Sequence, residues 1–377
     1  MKIEYKVLSI VFLLAILFIA GCSSENNQVN GKSIQDTSPI KIGFLAPLSG
    51  EAASYGQHSL GGASLAVNEI NAQGGINGRK IELKPEDDKC SSAGVEAIQK
   101  LINVDEVTGI VGPVCSASGG PALPIAQNSG IPTVIIGASA PHLPKIGDYI
   151  FRVYPSDAFQ GKFAAEFMFN TLGKRKVGIL YVQNDWGQGI KEVFAKRFKE
   201  LGGKVVVEEG VVQEARDFKT QLTKMKSEAV DAIYLPVYPA SGIEAAKQIK
   251  ELNLNVPIFG GDSFAGDEFI QSGYTEGVMY SVAKVNTPED FKAKVKSIKG
   301  FENSDPNLFD SLGYDATKVL LNAMQKAGTN KVQIMQALKQ TSLKGVSIDL
   351  IEFDQDGDLK KADYEVKVVK DKKVVNY

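Results

Sequence analysis

Apolar positions along this chain fall into three regimes. Over residues 7–20 they are nearly continuous, behind a short positive start at Lys2 and Lys6. Over 23–38 they almost vanish, leaving mainly Ser, Asn, Gln, Asp and Lys. From Ile40 onward, short apolar runs alternate with stretches in which apolar residues return every three or four positions. Short runs read as strands and the second pattern as amphipathic helices, because helical side chains return to one face every 3.6 residues.

The third regime predicts a strand over 40–45 and a helix over 59–71, with Leu60, Ala63, Val67 and Ile70 on one face. A glycine-rich turn at 74–78, a strand over 80–86, a helix over 92–104 and a strand over 107–111 follow. A helix over 116–128 and a strand over 131–136 complete the first half. The rhythm resumes with helices over 158–172, 188–201, 218–227 and 240–252. Strands over 177–182, 205–209, 229–235, 256–260 and 277–282 separate and follow them. Helices over 309–327 and 331–340 and strands over 347–353 and 364–369 close the chain. Strand–helix alternation means parallel sheets with helices on both faces. The folded length from Pro39 to Tyr377 suggests two α/β lobes.

The first regime changes where this fold must work. Its apolar run falls short of the roughly 20 residues that cross a bilayer. It ends in Ile19-Ala20-Gly21-Cys22, small residues before a cysteine. This reads as a secretory signal with a lipoprotein cleavage box: export, cleavage before Cys22, and a lipid on Cys22. An uncleaved anchor or a plain signal peptide is the alternative. The polar segment 23–38 cannot bury enough apolar surface to offset its ordering entropy, so it reads as a tether. Its 16 residues would span roughly 20–25 Å as a flexible chain. The expected location is therefore extracytoplasmic, lipid-anchored to the cell membrane.

Charge and composition remove several functions. A net charge of −2 without an arginine-rich run argues against a nucleic-acid surface. There are two histidines, His58 and His142, and no CxxC or HxxxH, so neither a metal site nor a cofactor is expected. No GxSxG elbow and no GxxxxGK[ST] phosphate loop is present, and neither histidine neighbours a credible nucleophile, so an enzyme is not expected. With Cys22 assigned to lipid, Cys90 and Cys115 remain as an even pair in an oxidising compartment. A disulfide would close a loop of about 25 residues, contributing about 3 kcal/mol. Two free buried thiols are the alternative.

In wound α/β sheets, ligands bind outside the carboxyl ends of the strands, near helix N-termini. The loops to inspect are then 46–56, 112–118, 137–141, 154–160, 183–189, 236–241 and 260–266. They carry a series of familiar blocks. Ile42-Gly43-Phe44-Leu45-Ala46-Pro47-Leu48-Ser49-Gly50 precedes Tyr55-Gly56, and AVNEINAQGGING occupies 66–78. Asp87-Asp88-Lys89-Cys90, Gly112-Pro113-Val114-Cys115-Ser116, Gly260-Gly261-Asp262 and DQDGDL at 354–359 follow in order. Together these resemble the leucine/isoleucine/valine-binding proteins, the extracytoplasmic receptors of branched-chain amino acid ABC transporters, from Pro39 to the C-terminus.

The resemblance implies an α/β type I periplasmic-binding fold: two doubly wound parallel-sheet lobes joined by a three-strand hinge. Lobe 1 would comprise 39–156 and 287–343, and lobe 2 would comprise 157–286 and 344–377, with crossings near 154–157, 284–287 and 343–346. It further implies a monomer that captures an amino acid, branched-chain or other neutral aliphatic, in the interlobe cleft and delivers it to an ABC permease. Binding or sensing of a short amide or aromatic acid on the same fold is the alternative.

Carried onto this chain, Ser116, Gly137 and Ser139 would hold the ligand on lobe 1, and Asp262 would take its ammonium. Tyr55, Trp186 and Tyr238 would wall the cleft, with Phe264 as a further candidate wall. Each has a plainer reading: an N-cap serine, a turn residue, a solvated aspartate or core aromatics. Relatives often carry threonine at the position of Ser139 and can carry glutamate at that of Asp262. The segment Tyr238-Pro239-Ala240-Ser241 departs from a commonly charged pattern. Asp157 and Gln160 read equally as a hinge or as a helix cap. Asp354-x-Asp356-x-Asp358 starts like a calcium loop, with Glu365 twelfth. Its sixth position is Leu359 and its glycine, Gly357, is fourth, so a β-hairpin turn between the closing strands is expected instead.

Overall fold

The computed structural model describes residues 37–377; the signal segment, Cys22 and nearly all of the tether lie outside the described residues. The first sheet holds β1 (Ile40–Ala46), β2 (Ile81–Asp87), β3 (Gly109–Val111), β4 (Thr133–Ile135) and β5 (Ile150–Arg152). All are parallel, in the order β2-β1-β3-β4-β5. Ile42, Phe44, Leu45 and Ala46 are fully buried. That explains why β1, an interior strand, carries no polar side chain from Ile42 onward: both faces are covered by helices. The covering helices are α1 (Ala53–Ala72), α2 (Gly94–Asn103) and α3 (Ser116–Asn128).

The chain then forms α4 (Asp157–Glu166) and a second sheet from β6 (Lys176–Val182), β7 (Lys204–Val211), β8 (Ala232–Leu235), β9 (Ile258–Gly260) and β10 (Met279–Ala283). Their order, β7-β6-β8-β9-β10, repeats the winding of the first sheet. Between these strands run α5 (Asp185–Glu200), α6 (Lys219–Ser227), α7 (Pro239–Glu251) and the short α8 (Asp267–Gln271). In each sheet the connections diverge at one point, between β1 and β3 and between β6 and β8. Loops leaving the carboxyl ends there open a crevice.

After β10 come α9 (Glu289–Lys296), α10 (Leu308–Ala327) and α11 (Lys331–Lys339). α10 lies against α1, and small residues make this possible. A Cβ on Gly62 would overlap the carbonyl of Asp310, and one on Gly313 would overlap that of Ser59. The two glycines let the helix backbones touch reciprocally. β11 (Ser342–Leu343) and β12 (Ile351–Glu352) pair as a separate ribbon. β13 (Tyr364–Lys370) joins β10 antiparallel, and β14 (Lys373–Asn376) extends the edge.

The structure differs from the sequence reading in several places. β5 has only three residues and carries no periodicity to read. α9 buries just Phe291 and Val295 among charged neighbours, and every residue of β14 is exposed, so neither offers an apolar pattern. The strand expected over 347–353 shrinks to β12. The closing strands do not pair with each other, because β12 pairs with β11 and β13 with β10, so the turn at 354–359 is not their hairpin. That turn closes locally, with Asp354 Oδ1 accepting the N–H groups of Asp356 and Asp358 and a bridge from Phe353 to Leu359. Ile351, Phe353 and Leu359 pack in the same core as β1 and α10, further along the chain than the crossing expected at 343–346.

Candidate functional site

A cavity of about 530 Å³ lies where the loops after β1, β3 and β4 meet those after β6, β8 and β9. Tyr55, Ser116, Gly137, Ser139, Trp186, Tyr238 and Asp262 all line it. The two sides touch across it: Glu51 pairs with Arg216 at 2.6 Å, and the Tyr55 hydroxyl donates to the Ser263 carbonyl at 3.4 Å.

On the first side, α3 starts at the cavity. Cys115 stands at its cap position and makes no side-chain capping bond to the first-turn amides. Ser116 is therefore inside the first turn and is not the capping serine. Its Oγ accepts the N–H of Ala140 at 3.1 Å, which leaves its hydroxyl proton uncommitted by that bond. Ser139 has the opposite polarity. Its hydroxyl donates to Asp157 Oδ2 at 2.8 Å, and its carbonyl accepts the N–H of Asp157 at 2.9 Å. Gly137 has Val114 O 3.0 Å from where a Cβ would stand, so the strand end presents bare backbone. Cys90 and Cys115 are joined, with Sγ atoms 2.13 Å and Cα atoms 5.3 Å apart. Tyr55 and Tyr238 pack against this bridge from the two sides.

On the second side, Asn184 caps α5 by accepting the N–H of Gly187 at 3.0 Å. Its amide donates to the Tyr238 hydroxyl at 3.3 Å, and the Trp186 and Tyr238 rings lie 5.1 Å apart. Asp262 follows β9 on a short 3-10 turn and accepts the Tyr154 hydroxyl at 2.5 Å. Burial pushes the Asp262 carboxyl up, against hydrogen bonds from Tyr154 and Gln160 that favour its ionised form. Asp157 is pushed up as well, first by burial and then by the negative field of Asp262. Burial likewise raises the Tyr55, Tyr154 and Tyr238 hydroxyls, so all three stay neutral donors. Glu51, Asp262, Asp267, Glu268 and Asp305 line the cavity, while among the described residues no lysine or arginine lines it. This site suits a ligand that brings positive charge to Asp262 and a donor-seeking group to α3.

Three sequence candidates fall elsewhere. Phe264 is fully buried and stacks on Phe269 at 3.9 Å against Gly242 and Gly260, so it is core and not a cleft wall. Asp157 is not the cap of α4, a role taken by Ser156. It ties the Ser139 loop to α4, and Gln160 ties α4 to β10 through Ser281 at 3.1 Å. Sequence reasoning missed Tyr154, Phe309 and His58. Tyr154 stood in a flagged loop, but its partner Asp262 is 108 positions away. Phe309 stacks on Tyr55 at 4.7 Å, and His58 meets the buried Asp310 at 2.7 Å. Both contacts depend on α10 packing on α1.

Two wound sheets presenting their loop ends to one shared cleft define a two-lobed α/β binding protein of the type I periplasmic fold. The chain belongs to the periplasmic binding protein family, whose pattern it matches over residues 39–373. It is 30% identical over 362 residues to the leucine-, isoleucine-, valine-, threonine- and alanine-binding protein of Pseudomonas aeruginosa, covering 94% of each chain. Its fold is similar to that of a leucine-binding protein, LivK, from Thermotoga maritima, with a TM-score of 0.81 at 27% identity over 90% of this chain and 97% of that one. It is similar also to the branched-chain amino acid transporter substrate-binding protein LivJ of Streptococcus pneumoniae, solved with isoleucine. That comparison has a TM-score of 0.77 at 31% identity, covering 89% and 97% of the two chains.

Proposed function

We propose that this protein is an extracytoplasmic receptor that captures a neutral amino acid, branched-chain or another aliphatic one, and delivers it to an ABC permease. In this reading Cys22 carries the lipid that holds it at the membrane, and the protein acts as a monomer. The observation that carries the reading is the opposed polarity of one cavity: an uncapped helix start with a free serine proton on one side, a buried carboxylate on the other.

The α-carboxylate sits at the α3 start, taking the Ser116 hydroxyl proton and first-turn amides at a positive helix end. The ammonium sits against Asp262. Ser139 joins the ammonium side, because its own proton is committed to Asp157 and its oxygen is left to accept. Gly137 adds backbone groups. The side chain lies among Tyr55, Trp186 and Tyr238, which supply apolar walls. Only the closed form offers both sets of contacts, so the ligand stabilises closure. A carboxylic acid without an ammonium would leave the Asp262 charge unmatched, which disfavours aromatic acids as ligands.

Calorimetric titration of ligand-stripped protein tests this. Isoleucine, leucine, valine, threonine and alanine are compared with benzoate and acetamide. Saturable binding of at least one neutral amino acid is expected, and ligand at about 100-fold above its Kd adds about 2.7 kcal/mol of stability. Binding of benzoate or acetamide alone would overturn the reading.

A further inference from the structure

The loop that presents Ser139 is held in shape by one buried cation. Arg152, the last residue of β5, is 0% exposed. Its Nη1 donates to the carbonyls of Ala138 at 3.1 Å and Ala140 at 2.8 Å, the two residues that flank Ser139. Its Nε and Nη2 donate to Asp358 Oδ1 at 3.0 Å and Oδ2 at 2.6 Å, a fork-to-fork pair. Its backbone N–H donates to Gly357 O at 2.9 Å.

The turn that offers Asp358 is built to do so. Asp354 Oδ1 accepts the N–H of Asp356 at 2.9 Å and of Asp358 at 3.0 Å, and the Asp354 N–H donates to Asp358 O at 2.8 Å. Gly357 has φ +82°, and a Cβ there would run into the carbonyl of Ile150 on β5. The acidic DQDGDL segment thus has a use that is neither calcium binding nor a strand hairpin. It holds one carboxylate against one guanidinium, 206 positions apart.

We propose that Arg152 and Asp358 are a positioning pair for ligand recognition, a role that rests on the amino-acid reading above. The planar guanidinium has donors at fixed angles. Gripping both flanking carbonyls, it sets the rotation of the Ser139 peptides, and so sets where the Ser139 oxygen and the Gly137 backbone face the ligand ammonium. Asp358 is the counter-charge that keeps the guanidinium in that plane. Arginine fits this position and lysine does not, because a single ammonium point cannot bracket two carbonyls and a carboxylate together.

The test uses the full chain, purified in mild detergent and stripped of ligand, with two variants, Asp358→Asn and Arg152→Lys. Calorimetry gives the affinity for L-isoleucine and for its 2-hydroxy acid, in which a hydroxyl replaces the ammonium. Circular dichroism and apo melting report folding separately. Each folded variant is expected to bind isoleucine about tenfold or more weaker, with a smaller loss for the hydroxy acid, so that the ratio of the two affinities narrows. Asp358→Glu, which keeps the carboxylate, should recover part of that ratio. A purely structural pair would lower the melting temperature and leave the ratio unchanged. A folded Arg152→Lys or Asp358→Asn protein with wild-type affinity and ratio would overturn the proposal. Where the wild type prefers another of the neutral amino acids above, that acid and its 2-hydroxy analogue take isoleucine's place; binding of none of them would overturn the amino-acid reading, and this inference with it.

Discussion

The two rims of the cleft come from sheets wound in the same order, yet they are finished differently. The first rim is shaped by hydrogen bonds among its own groups, which leave the Ser116 proton and the α3 start open. Ser116, Ser139, Ala138 and Ala140 are each tied to a partner, and Arg152 donates through Nε, Nη1 and Nη2. The second rim is a buried carboxylate with a tyrosine hydroxyl against it and aromatic rings around it. Where the rims meet, Asp157 Oδ1 and Gln160 Oε1 are buried without a hydrogen-bond partner. The difference separates recognition from closure. One side is shaped before the ligand arrives; the other keeps negative charge in a place that disfavours it until a cation is supplied. On the proposed reading, a ligand that carries the cation would tip the protein toward the closed state.

The largest effect expected from breaking this contrast is at Asp262. Asp262→Ala removes the only acidic side chain given an ammonium role. Losing a buried charge partner costs about 3–5 kcal/mol, so amino acid binding should disappear from calorimetry. A Kd close to wild type would mean that the second rim does not hold the ammonium.

The disulfide comes next, because it supports the first rim while touching the second. Replacing Cys90 and Cys115 by serine opens a loop of sequence separation 25. The expected cost is about 3 kcal/mol, measured by urea unfolding. An unchanged midpoint would show that hydrogen bonds alone shape the first rim.

A smaller loss follows from Ser116→Ala, which removes one donor and leaves the α3 amides in place. Affinity should fall by about tenfold, equivalent to one hydrogen bond of about 1–1.5 kcal/mol. Because Ser116 also accepts the Ala140 N–H, a much larger loss would place it in the scaffold of the Ser139 loop as well.

The most modest effect, and the one that sharpens the comparison best, is with pH. Asp262 must be ionised to accept an ammonium, and its carboxyl lies above the usual carboxylate range. Affinity should therefore fall as pH drops through that raised range, with binding there releasing protons. Apo stability should respond in the opposite sense. Burial raises Asp88 to about 6 and lifts Asp157 and Asp262 as well. A carboxyl raised on folding contributes stability that is full below its unfolded value near 3.9 and lost as pH rises through the folded one. From Asp88 alone that window runs from about pH 4 to 6. Titration calorimetry in buffers of different ionisation enthalpy, beside apo melting curves, reads both slopes. Parallel slopes would remove the link between the strained carboxyls and the ligand.

Much of this architecture was legible because it rests on short-range signals. Parallel strands buried on both faces must be apolar over most of their length, so β1, β6 and β8 announce themselves. Ligand loops must follow strands, so Ser116, Ser139 and Asp262 stood out beside glycines and helix starts. What stayed hidden depends on distant partners or on meagre burial. β5 and α9 bury too few residues to show a period. Phe264 sits in a post-strand loop like Trp186, and only the small residues Gly242 and Gly260 beneath it draw it inward. Tyr154 and Asp262 are joined only once both sheets stand side by side, and Arg152 and Asp358 only once the chain has returned to the first sheet 206 positions later. The DQDGDL turn misled for the same reason, since its true partner is a strand of the first sheet.

The reciprocal glycine contact of α1 and α10 has a bearing on the order in which the chain acquires its shape. His58 and Asp310, which meet at that junction, are 252 positions apart. The lobe that is synthesised first therefore cannot close its core until more than three-quarters of the chain exists, and the sheet of β6 to β10 waits as long, since β13 completes it and puts Val366 and Val369 into its core. Pairings this remote in sequence are the slow ones to form. Both halves of the molecule therefore reach their final packing only when the last stretch of the polypeptide is available.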